Sequence, residues 1–528
     1  MSEIKIIFFY FIILLLQNQL FAQEINTLYF IENSPLQHIQ NPAFQPQNDF
    51  YISLPILGFA SFDVGNNSLK FNDLYNNPTD LNINVLNQLS GLNLINNILK
   101  QNTVLHIGFQ TNLLSFGFKK SASFWNFTIS EKIAGTINLP KDILDLMLFN
   151  NPESLTSSFS FAPLQSDLTL YTETALGYSN ELNEKWSIGG KFKFLLGHMN
   201  MSNSNQNFDI QPGLPTWQIN ATGSVNIANL IQSDIGNNYQ TVSNYLIENF
   251  NQIFKPVGFG VGIDLGLVYR LNQNVDLSAS ILDLGFIRWR SDVVNYNYSL
   301  SYDGILNYNN GSYSNPGDTF NQLVNNNTEL VDSLSTVLNR TETSNKTNNS
   351  YFSSTSTKLN LGLEYDFFEH MLGLGLLSKT QLYKNIIVED ATLALNLRPY
   401  NWLNGTLSYS LLNGTFSTFG VGVSLNVGFV NLFMATDYVS TQKLQFNPSD
   451  YSSVFPELDI SIPYNSREFN FSMGVNLVFD YHNEKNENKS SNIWFGDIHN
   501  DKSFYPQKHN ISKRSLKSFF ENLSKPRK

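Results

Sequence analysis

The chain contains no cysteine among its 528 residues, and only 14% of its residues are charged. The missing cysteine excludes a disulfide framework, a thiol nucleophile, a thiolate metal site and a lipid anchor on an N-terminal cysteine. Soluble proteins carry about 25% charged residues on average. The net charge of −11 argues against a nucleic-acid-binding protein, which would present a basic surface.

Long apolar runs are missing after the first 22 residues. No later segment approaches the about 20 apolar residues that a membrane-spanning helix needs. At the N-terminus, Lys5 precedes an apolar run from Ile6 to Leu16, and Ala22 precedes a polar residue. A basic start, a short apolar stretch and a small residue predict a secretory signal peptide over residues 1–22. The alternative, a membrane anchor helix, would need a longer run.

Aromatic residues are abundant, with 42 phenylalanines and 24 tyrosines, and many lie in segments that alternate with a period of two. In residues 259–270 one face is apolar, and it consists of Phe259, Val261, Ile263, Leu265, Leu267 and Tyr269. The other face carries Gly260, Gly262, Asp264, Gly266, Val268 and Arg270. These segments are about as long as the 9 to 11 residues of a transmembrane strand, whereas soluble strands usually have about 5 or 6. The pattern favours a membrane β-barrel over a secreted soluble β protein.

Connections of alternating length predict the number of strands. Bacterial single-chain barrels use an even number, with short periplasmic turns and long outer loops. Assigning the connections in this way predicts an all-β fold, a single antiparallel transmembrane barrel of about 14 strands with both ends in the periplasm. The predicted strands lie near 50–62, 103–118, 121–136, 167–178, 185–196, 257–270, 275–289, 352–367, 371–381, 387–398, 402–412, 415–427, 429–439 and 467–481.

Two local features depart from simple alternation. Within 275–289 the apolar positions change phase, from Val275 and Ile281 to Leu282 and Leu284, which predicts a β-bulge. The long outer connections are predicted near 63–102, 138–166, 197–255, 291–351 and 440–466, with short helices at 139–149, 239–254 and 319–338.

Two segments flank the predicted barrel, which covers residues 50–481. Residues 23–49 contain three prolines, and their irregular backbone cannot face lipid, so this N-terminal arm is predicted either to plug the lumen or to extend into the periplasm. Residues 482–528 carry ten lysines and arginines against five acidic residues. We predict a basic, flexible periplasmic tail that is either solvated or in contact with another envelope component.

Three features resemble the FadL-type family of outer-membrane transporters for hydrophobic compounds. They are the Asn41-Pro42-Ala43-Phe44 motif after the signal peptide, the glycine-rich hairpin 260–285, and the count of about 14 strands. The segment 27–33, Thr-Leu-Tyr-Phe-Ile-Glu-Asn, together with the Asn-Pro-Ala-Phe motif, also looks like a family of uncharacterised Bacteroidota barrel proteins. The resemblance implies a 14-stranded barrel in a Gram-negative outer membrane, and Asn41, Pro42, Ala43 and Phe44 as part of a plug.

Charged residues on the polar strand faces are the candidate lumen lining, since a charge on the lipid face is costly. These candidates are Glu173, Lys191, Lys193, Asp264, Arg270, Glu364, Asp366, Arg398 and Asp480. They are expected either to line a polar path or to pair and brace the barrel wall. No histidine pair with zinc spacing, nucleophile elbow or phosphate-binding loop is present, so we expect no metal, no cofactor and no catalytic residue.

Two functions remain open from the sequence. One is passive uptake of hydrophobic or amphipathic small molecules through a plugged barrel in outer-membrane lipid. The alternative is a scaffold or binding barrel whose outer loops or basic tail engage a periplasmic or secretion-system protein. A barrel enzyme is a distant third possibility.

Overall fold

The structure is a computed structural model. It describes residues 25–68, 100–142, 158–211, 217–229, 254–304, 346–368, 370–383, 386–400, 402–412, 416–438, 443–446, 460–463 and 468–479. The predicted signal peptide, the predicted tail and the predicted helix 319–338 lie outside these residues, as does the predicted helix 239–254 except for its last residue.

Twenty-two strands are present in the described part of the chain. In chain order they are β1 Phe50–Ser53, β2 Ala60–Asn66, β3 Asn102–Lys120, β4 Ser123–Pro140, β5 Phe159–Ser160, β6 Gln165–Glu181, β7 Trp186–Gln211, β8 Trp217–Ala228, β9 Gly258–Asn272, β10 Val275–Trp289, β11 Val293–Gly304, β12 Lys346–Thr347, β13 Tyr351–Ser354, β14 Thr357–Phe367, β15 Leu372–Tyr383, β16 Ile386–Tyr400, β17 Leu403–Leu412, β18 Phe416–Val427, β19 Val430–Thr436, β20 Lys443–Phe446, β21 Ile460–Pro463 and β22 Glu468–Phe479.

The strands close into an antiparallel barrel with 14 positions around its wall. β1 and β2 share the first position, since both pair with β3 on one side and β22 on the other. β13 and β14 share another, and both pair with β10. The predicted fold class and strand number are confirmed. The short turns lie at one end, beside the chain entry at β1, so this end is periplasmic.

Apolar side chains face outward around the wall. On β9, Phe259, Ile263 and Leu265 are exposed while Gly260 and Asp264 on the other face are buried, as the alternation predicts. The periplasmic rim carries exposed aromatic side chains, including Trp125, Tyr178, Trp186, Tyr365, Tyr400, Trp402, Phe429 and Phe479. An apolar band bounded by aromatic residues is the exterior of a barrel in lipid. The protein is an outer-membrane β-barrel of a Gram-negative bacterium.

Helices make little contribution to the described part of the chain. Two short 3₁₀ helices, Thr27–Phe30 and Gln37–Ile39, lie before β1. No described helix is long and apolar enough to cross a membrane. The predicted helix 139–149 is wrong at its first two residues, because Leu139 and Pro140 pair with Thr103 and Asn102 as the end of β4, whereas residues 141–142 are helical. Its residues 143–149 lie outside the described ranges.

The predicted bulge in β10 is present. The register with β9 shifts between Ile281 and Leu284, and Asp283 adopts a φ of 55°. The bulge turns Asp283 towards the lumen, where it becomes the centre of a charged cluster.

The outer connections contain strands that the sequence analysis missed. β7 continues to Gln211, and β8 and β11 pair beside its outer half in a sheet that rises above the barrel. The predicted outer connections 197–255 and 291–351 therefore contain strands that the sequence analysis did not assign. Both strands do alternate in sequence, for example Trp217 and Ile219 against Gln218 and Asn220 in β8. They were missed because the long connections were assigned to the outside of the barrel wall as a whole.

The first wall position is interrupted between β1 and β2. Residues 54–59 leave the strand, with Ile56 at a φ of 66° and with Ile56 and Leu57 exposed on the outer surface. Phe59 turns back into the wall and packs against Phe433, with ring centroids 6.3 Å apart. The interruption leaves exposed apolar residues beside a packed aromatic pair.

The lipid-facing assignment predicts a position-dependent cost for charge. Leu265 lies midway along β9 and is 51% exposed, whereas Leu182 lies at the periplasmic turn and is 55% exposed. We expect Leu265→Arg to reduce the free energy of unfolding in lipid vesicles by about 2–4 kcal/mol, and Leu182→Arg by about 0–1 kcal/mol. Urea titration followed by tryptophan fluorescence measures both, and equal losses would contradict the assigned depth.

Candidate functional site

The N-terminal arm, residues 25–49, lies inside the barrel. Ile25, Ile31 and Leu36 are buried and pack with Phe433 and Val478 of the wall in one apolar cluster. Tyr29 and Phe30 form a second contact with wall residues from β15 and β16. The arm therefore occupies the lumen as a plug.

Hydrogen bonds hold the first residues of the plug. The carboxylate of Asp437 accepts from the backbone N–H groups of Asn26 and Thr27 at 2.7 and 2.9 Å, and also from the Thr27 hydroxyl. Thr27 further contacts the hydroxyl of Ser408 at 2.6 Å. Hydrogen bonds to a charged acceptor are stronger than neutral ones, so Asp437 is the main polar anchor of this end.

The Asn-Pro-Ala-Phe motif contacts the opposite wall. The Asn41 side chain donates to the carbonyl groups of Leu267 and Ala279, at 3.4 and 3.2 Å. The carbonyl of Ala43 accepts from Ser187 at 3.0 Å. Phe44 packs edge-on against Tyr29. The structure thus places the motif between β7, β9 and β10.

Inward-facing glycines let the plug approach the wall closely. A Cβ at position 189 would overlap the carbonyl group of Pro42, and one at position 375 would overlap the ring of Phe30. Gly266, Gly362, Gly420 and Gly422 lie against other plug residues in the same way. The small residues on the inner faces of the strands, which the sequence alternation shows, form the surface against which the plug packs.

A lysine–carboxylate cluster lies above the plug and consists of Lys132, Glu173, Lys193, Asp264, Asp283 and Lys358. Asp283 accepts from three lysines, including Lys132 at 3.2 Å and Lys358 at 3.0 Å. Lys193 also contacts Asp264 at 2.7 Å, and Lys132 contacts Glu173 at 2.9 Å. Buried charges are stable when they are paired in this way, so the cluster ties six wall strands together.

Three of the sequence candidates fall in this cluster, namely Glu173, Lys193 and Asp264. Lys191 points into the same part of the lumen and lines a small second cavity beside them. It is buried and makes no ion pair within the described residues. Lys132, Asp283 and Lys358 were missed. The phase slip in β10 was the signal for Asp283, but no local pattern indicates its partners.

An outer cavity of about 150 Å³ lies above the cluster and the plug. Its floor includes Ile25, Leu28 and Ile39 of the plug, and its polar side includes Lys132 and Lys358. Apolar wall residues complete the lining, among them Val104, Ile133, Tyr171 and Ile287. The cavity therefore offers both an apolar surface and charged groups to a small ligand.

His106 and Asp63 also line the outer cavity. The His106 imidazole lies 3.8 Å from the carboxylate of Asp63 and 3.6 Å from that of Glu468. His106 therefore faces the lumen together with these two carboxylates.

The remaining candidates lie near the periplasmic end. Arg398 contacts Glu32 of the plug and Asp366, each at 2.8 Å, and it also pairs with Glu364. Arg270 contacts Glu181 at 3.4 Å. Asp480 lies outside the described residues. Arg398 thus links the plug to the wall at the end opposite the outer cavity.

A polar group on the outer surface of the wall was also missed. The Thr172 hydroxyl lies 2.7 Å from Glu131 and 2.6 Å from the ring of His198. Alternation places Glu131 and Thr172 on the face opposite Lys132 and Glu173. The hydrogen bonds among these three side chains satisfy part of their polar groups on the lipid-facing side of β4, β6 and β7.

Comparison with known proteins assigns the chain to a family. A model of a family of unknown function, DUF5723, matches residues 42–437, about three quarters of the sequence. The chain belongs to the DUF5723 family. No curated protein sequence matches it.

Solved structures similar to this DUF5723 member include FadL-type barrels, the class that its sequence resembles. The toluene transporter TodX of P. putida is 11% identical with a TM-score of 0.37, covering 85% of this chain and 95% of its own. A Pseudomonas aeruginosa FadL homologue is 10% identical with a TM-score of 0.38, covering 87% and 99%. The translocator domain of NalP from Neisseria meningitidis is 9% identical with a TM-score of 0.29, covering 84% and 93%.

Docking of the plug is expected to depend on Gly189. An alanine there would meet the plug backbone at Pro42, whereas Gly190, its neighbour on β7, has 3.5 Å of space around a new Cβ. We expect Gly189→Ala to lower the hydrogen-exchange protection of residues 25–49 in the purified barrel. Gly190→Ala is the matched control and should keep wild-type protection. Equal protection in both variants would show that the plug is not packed on this wall.

Plug docking is also expected to weaken in acid. Burial, with a contribution from the positive charge of Lys191, holds the pKa of His38 well below its usual value. The His38 ring bonds the Tyr51 hydroxyl at 2.7 Å. An undocked arm binds a proton at about pH 6.5, so the docked state should be unaffected above that pH and lose stability as the pH falls below it.

Hydrogen exchange of residues 25–49, corrected for intrinsic rates, measures this effect at neutral pH and at about pH 5. His38→Gln should remove the pH-dependent part of the protection, whatever its absolute level. Unchanged protection of the wild-type arm on acidification would contradict the role of His38.

Proposed function

We propose that the protein is a passive uptake barrel for hydrophobic or amphipathic small molecules. The observation that carries the proposal is the outer cavity, in which apolar side chains such as Val104 and Ile287 face charged ones such as Lys132. Ligand sites are usually apolar pockets with a few polar groups that fix orientation. The cavity lies beside the outer halves of β3 and β4, on the side from which a compound outside the cell would arrive.

Passage beyond the cavity requires a change in the plug or in the wall. The floor of the cavity consists of plug residues, and the lysine–carboxylate cluster fills the lumen beside them. A compound would therefore either displace part of the arm or leave through the wall, where residues 54–59 interrupt the first position. In the first case, the hydrogen bonds of Asp437 retain residues 26 and 27, and the contact with Arg398 retains Glu32.

Filling the cavity should block uptake. Ala134 lines the cavity, whereas Ile137 on the same strand points outward and is 42% exposed. We expect Ala134→Trp to reduce cellular accumulation of radiolabelled toluene and radiolabelled decanoate to the level of cells without the protein, because the indole occupies the entry space. Ile137→Trp is the control and should accumulate both compounds like the wild type.

The two probes separate the apolar and the amphipathic cargo classes. Equal accumulation in cells with and without the wild-type barrel would overturn the proposal, provided that the barrel is folded in the membrane. Wild-type accumulation in Ala134→Trp would show that the outer cavity is not the entry site.

A scaffold that engages an envelope or secretion protein is the second candidate function. The observation in its favour is the outer sheet of β7, β8 and β11, which extends the protein beyond the membrane. Deletion of residues 482–528 distinguishes the two functions. An uptake barrel should keep its transport, whereas a scaffold that docks through its tail should lose the partner that co-purifies with the full chain.

A further inference from the structure

The outer rim of the barrel carries an arginine among aromatic side chains. Arg288 is paired across the sheet with Phe259 of β9 and Phe352 of β13, and Phe286 precedes it on the same face of β10. The three phenylalanines are exposed by 44%, 63% and 45%, respectively. A cation surrounded by exposed rings on a lipid-facing wall calls for an anionic partner from outside.

The hydrogen-bonding capacity of Arg288 is largely unused by the protein. Its guanidinium lies over the Phe352 ring, 5.5 Å from the centroid, and donates to Ser350 at 3.2 Å. Its Nε atom is buried and has no acceptor among the described residues. The cation–π contact holds the guanidinium plane in place while other N–H groups remain available for a ligand.

The neighbouring charges add to the positive potential. Arg290 follows on the same face, is exposed and has no carboxylate partner within the described ranges. Lys255 lies beside it and pairs with Asp292 at 2.7 Å. Since this pair is neutral as a unit, the two arginines leave the patch with an excess of positive charge.

The height of the patch matches the outer leaflet. Arg288 follows Val275 at the periplasmic turn by thirteen residues. With a rise of about 3.3 Å per residue and a tilt of about 40°, it stands about 33 Å above that turn. The lipid-facing band of such barrels is about 25 Å tall, so the guanidinium lies at the level of the headgroups.

We propose that Arg288 and Arg290 form a binding site for the phosphate groups of the phosphorylated glycolipid in the outer leaflet. Arginine is suited to this role because its planar fork binds phosphate through two parallel hydrogen bonds. The phenylalanines below it contact the acyl chains of the same lipid. The site lies on the outer surface and is independent of the lumen and of the proposed uptake.

Native mass spectrometry of the delipidated, full-length barrel tests the site with lipid A that carries both phosphates. We expect the double variant R288Q/R290Q to bind this lipid about tenfold more weakly than the wild type, as loss of charge-assisted hydrogen bonds predicts. The control K120Q/K185Q removes two exposed lysines at the periplasmic rim and should bind like the wild type. If the double variant does not fold, Arg290→Gln alone replaces it in the same binding measurement.

Two further probes identify the source of the phosphate. Lipid A without its two phosphates should bind the wild type weakly, at most as well as R288Q/R290Q binds phosphorylated lipid A. Inorganic phosphate should not displace phosphorylated lipid A from the wild type. Undiminished binding of the dephosphorylated lipid, or wild-type binding by R288Q/R290Q, would overturn the proposal. Displacement by inorganic phosphate would show that the site binds simple anions and is not a lipid site. An equal loss of lipid A affinity in K120Q/K185Q would show a non-specific effect of charge.

Discussion

A barrel of 14 strands encloses more space than its own inward side chains can fill. About eight strands give an interior that side chains pack completely, whereas 16 to 18 leave an aqueous channel. This protein lies between these sizes and fills its lumen with two devices, the N-terminal arm and the lysine–carboxylate cluster. The arm requires the glycines at positions such as 189 and 375, because a wall with larger inner side chains would leave no room for it. The outer cavity is the space that the two devices leave open.

The charged cluster is stable because its ions are shared. Each buried ion costs several kcal/mol to remove from water, and attraction within the lumen offsets this cost only if every charge finds partners. Asp283 meets three lysines and Lys193 meets three carboxylates, so these two residues connect the whole cluster. The bulge in β10 makes this possible, since it turns Asp283 towards the lumen. Removing Asp283 or Lys193 therefore takes ion-pair partners from three residues at once, and it leaves an excess charge beneath the cavity that a ligand would enter.

The sequence predicts the parts of this structure that depend on one strand at a time. Alternation in 259–270 predicts which side chains face lipid, and the phase change near Ile281 predicts the bulge. Pairs such as Lys132 with Asp283 join residues 151 positions apart, and no local pattern contains them. β8 and β11 were missed for a different reason. Both strands alternate clearly, as Tyr296 and Leu300 against Asn295 and Ser299 show in β11. They were missed because the parity rule assigns every long connection to an outer loop and leaves no place for a strand within it.

The two rims of the barrel present different side chains to the membrane interface. At the periplasmic rim, uncharged aromatic residues such as Trp125 and Tyr178 pack against one another at a tilt of 55°, with centroids 4.6 Å apart. At the outer rim, Phe259 and Phe352 flank Arg288 instead. Tryptophan and tyrosine suit an interface with ordinary phospholipid headgroups, since they combine an apolar ring with one polar atom. At the outer rim, phenylalanine supplies the apolar ring and arginine supplies the polar group. This combination suits a leaflet whose lipids present phosphate directly above their acyl chains. The asymmetry of the wall thus corresponds to the asymmetry of the membrane around it.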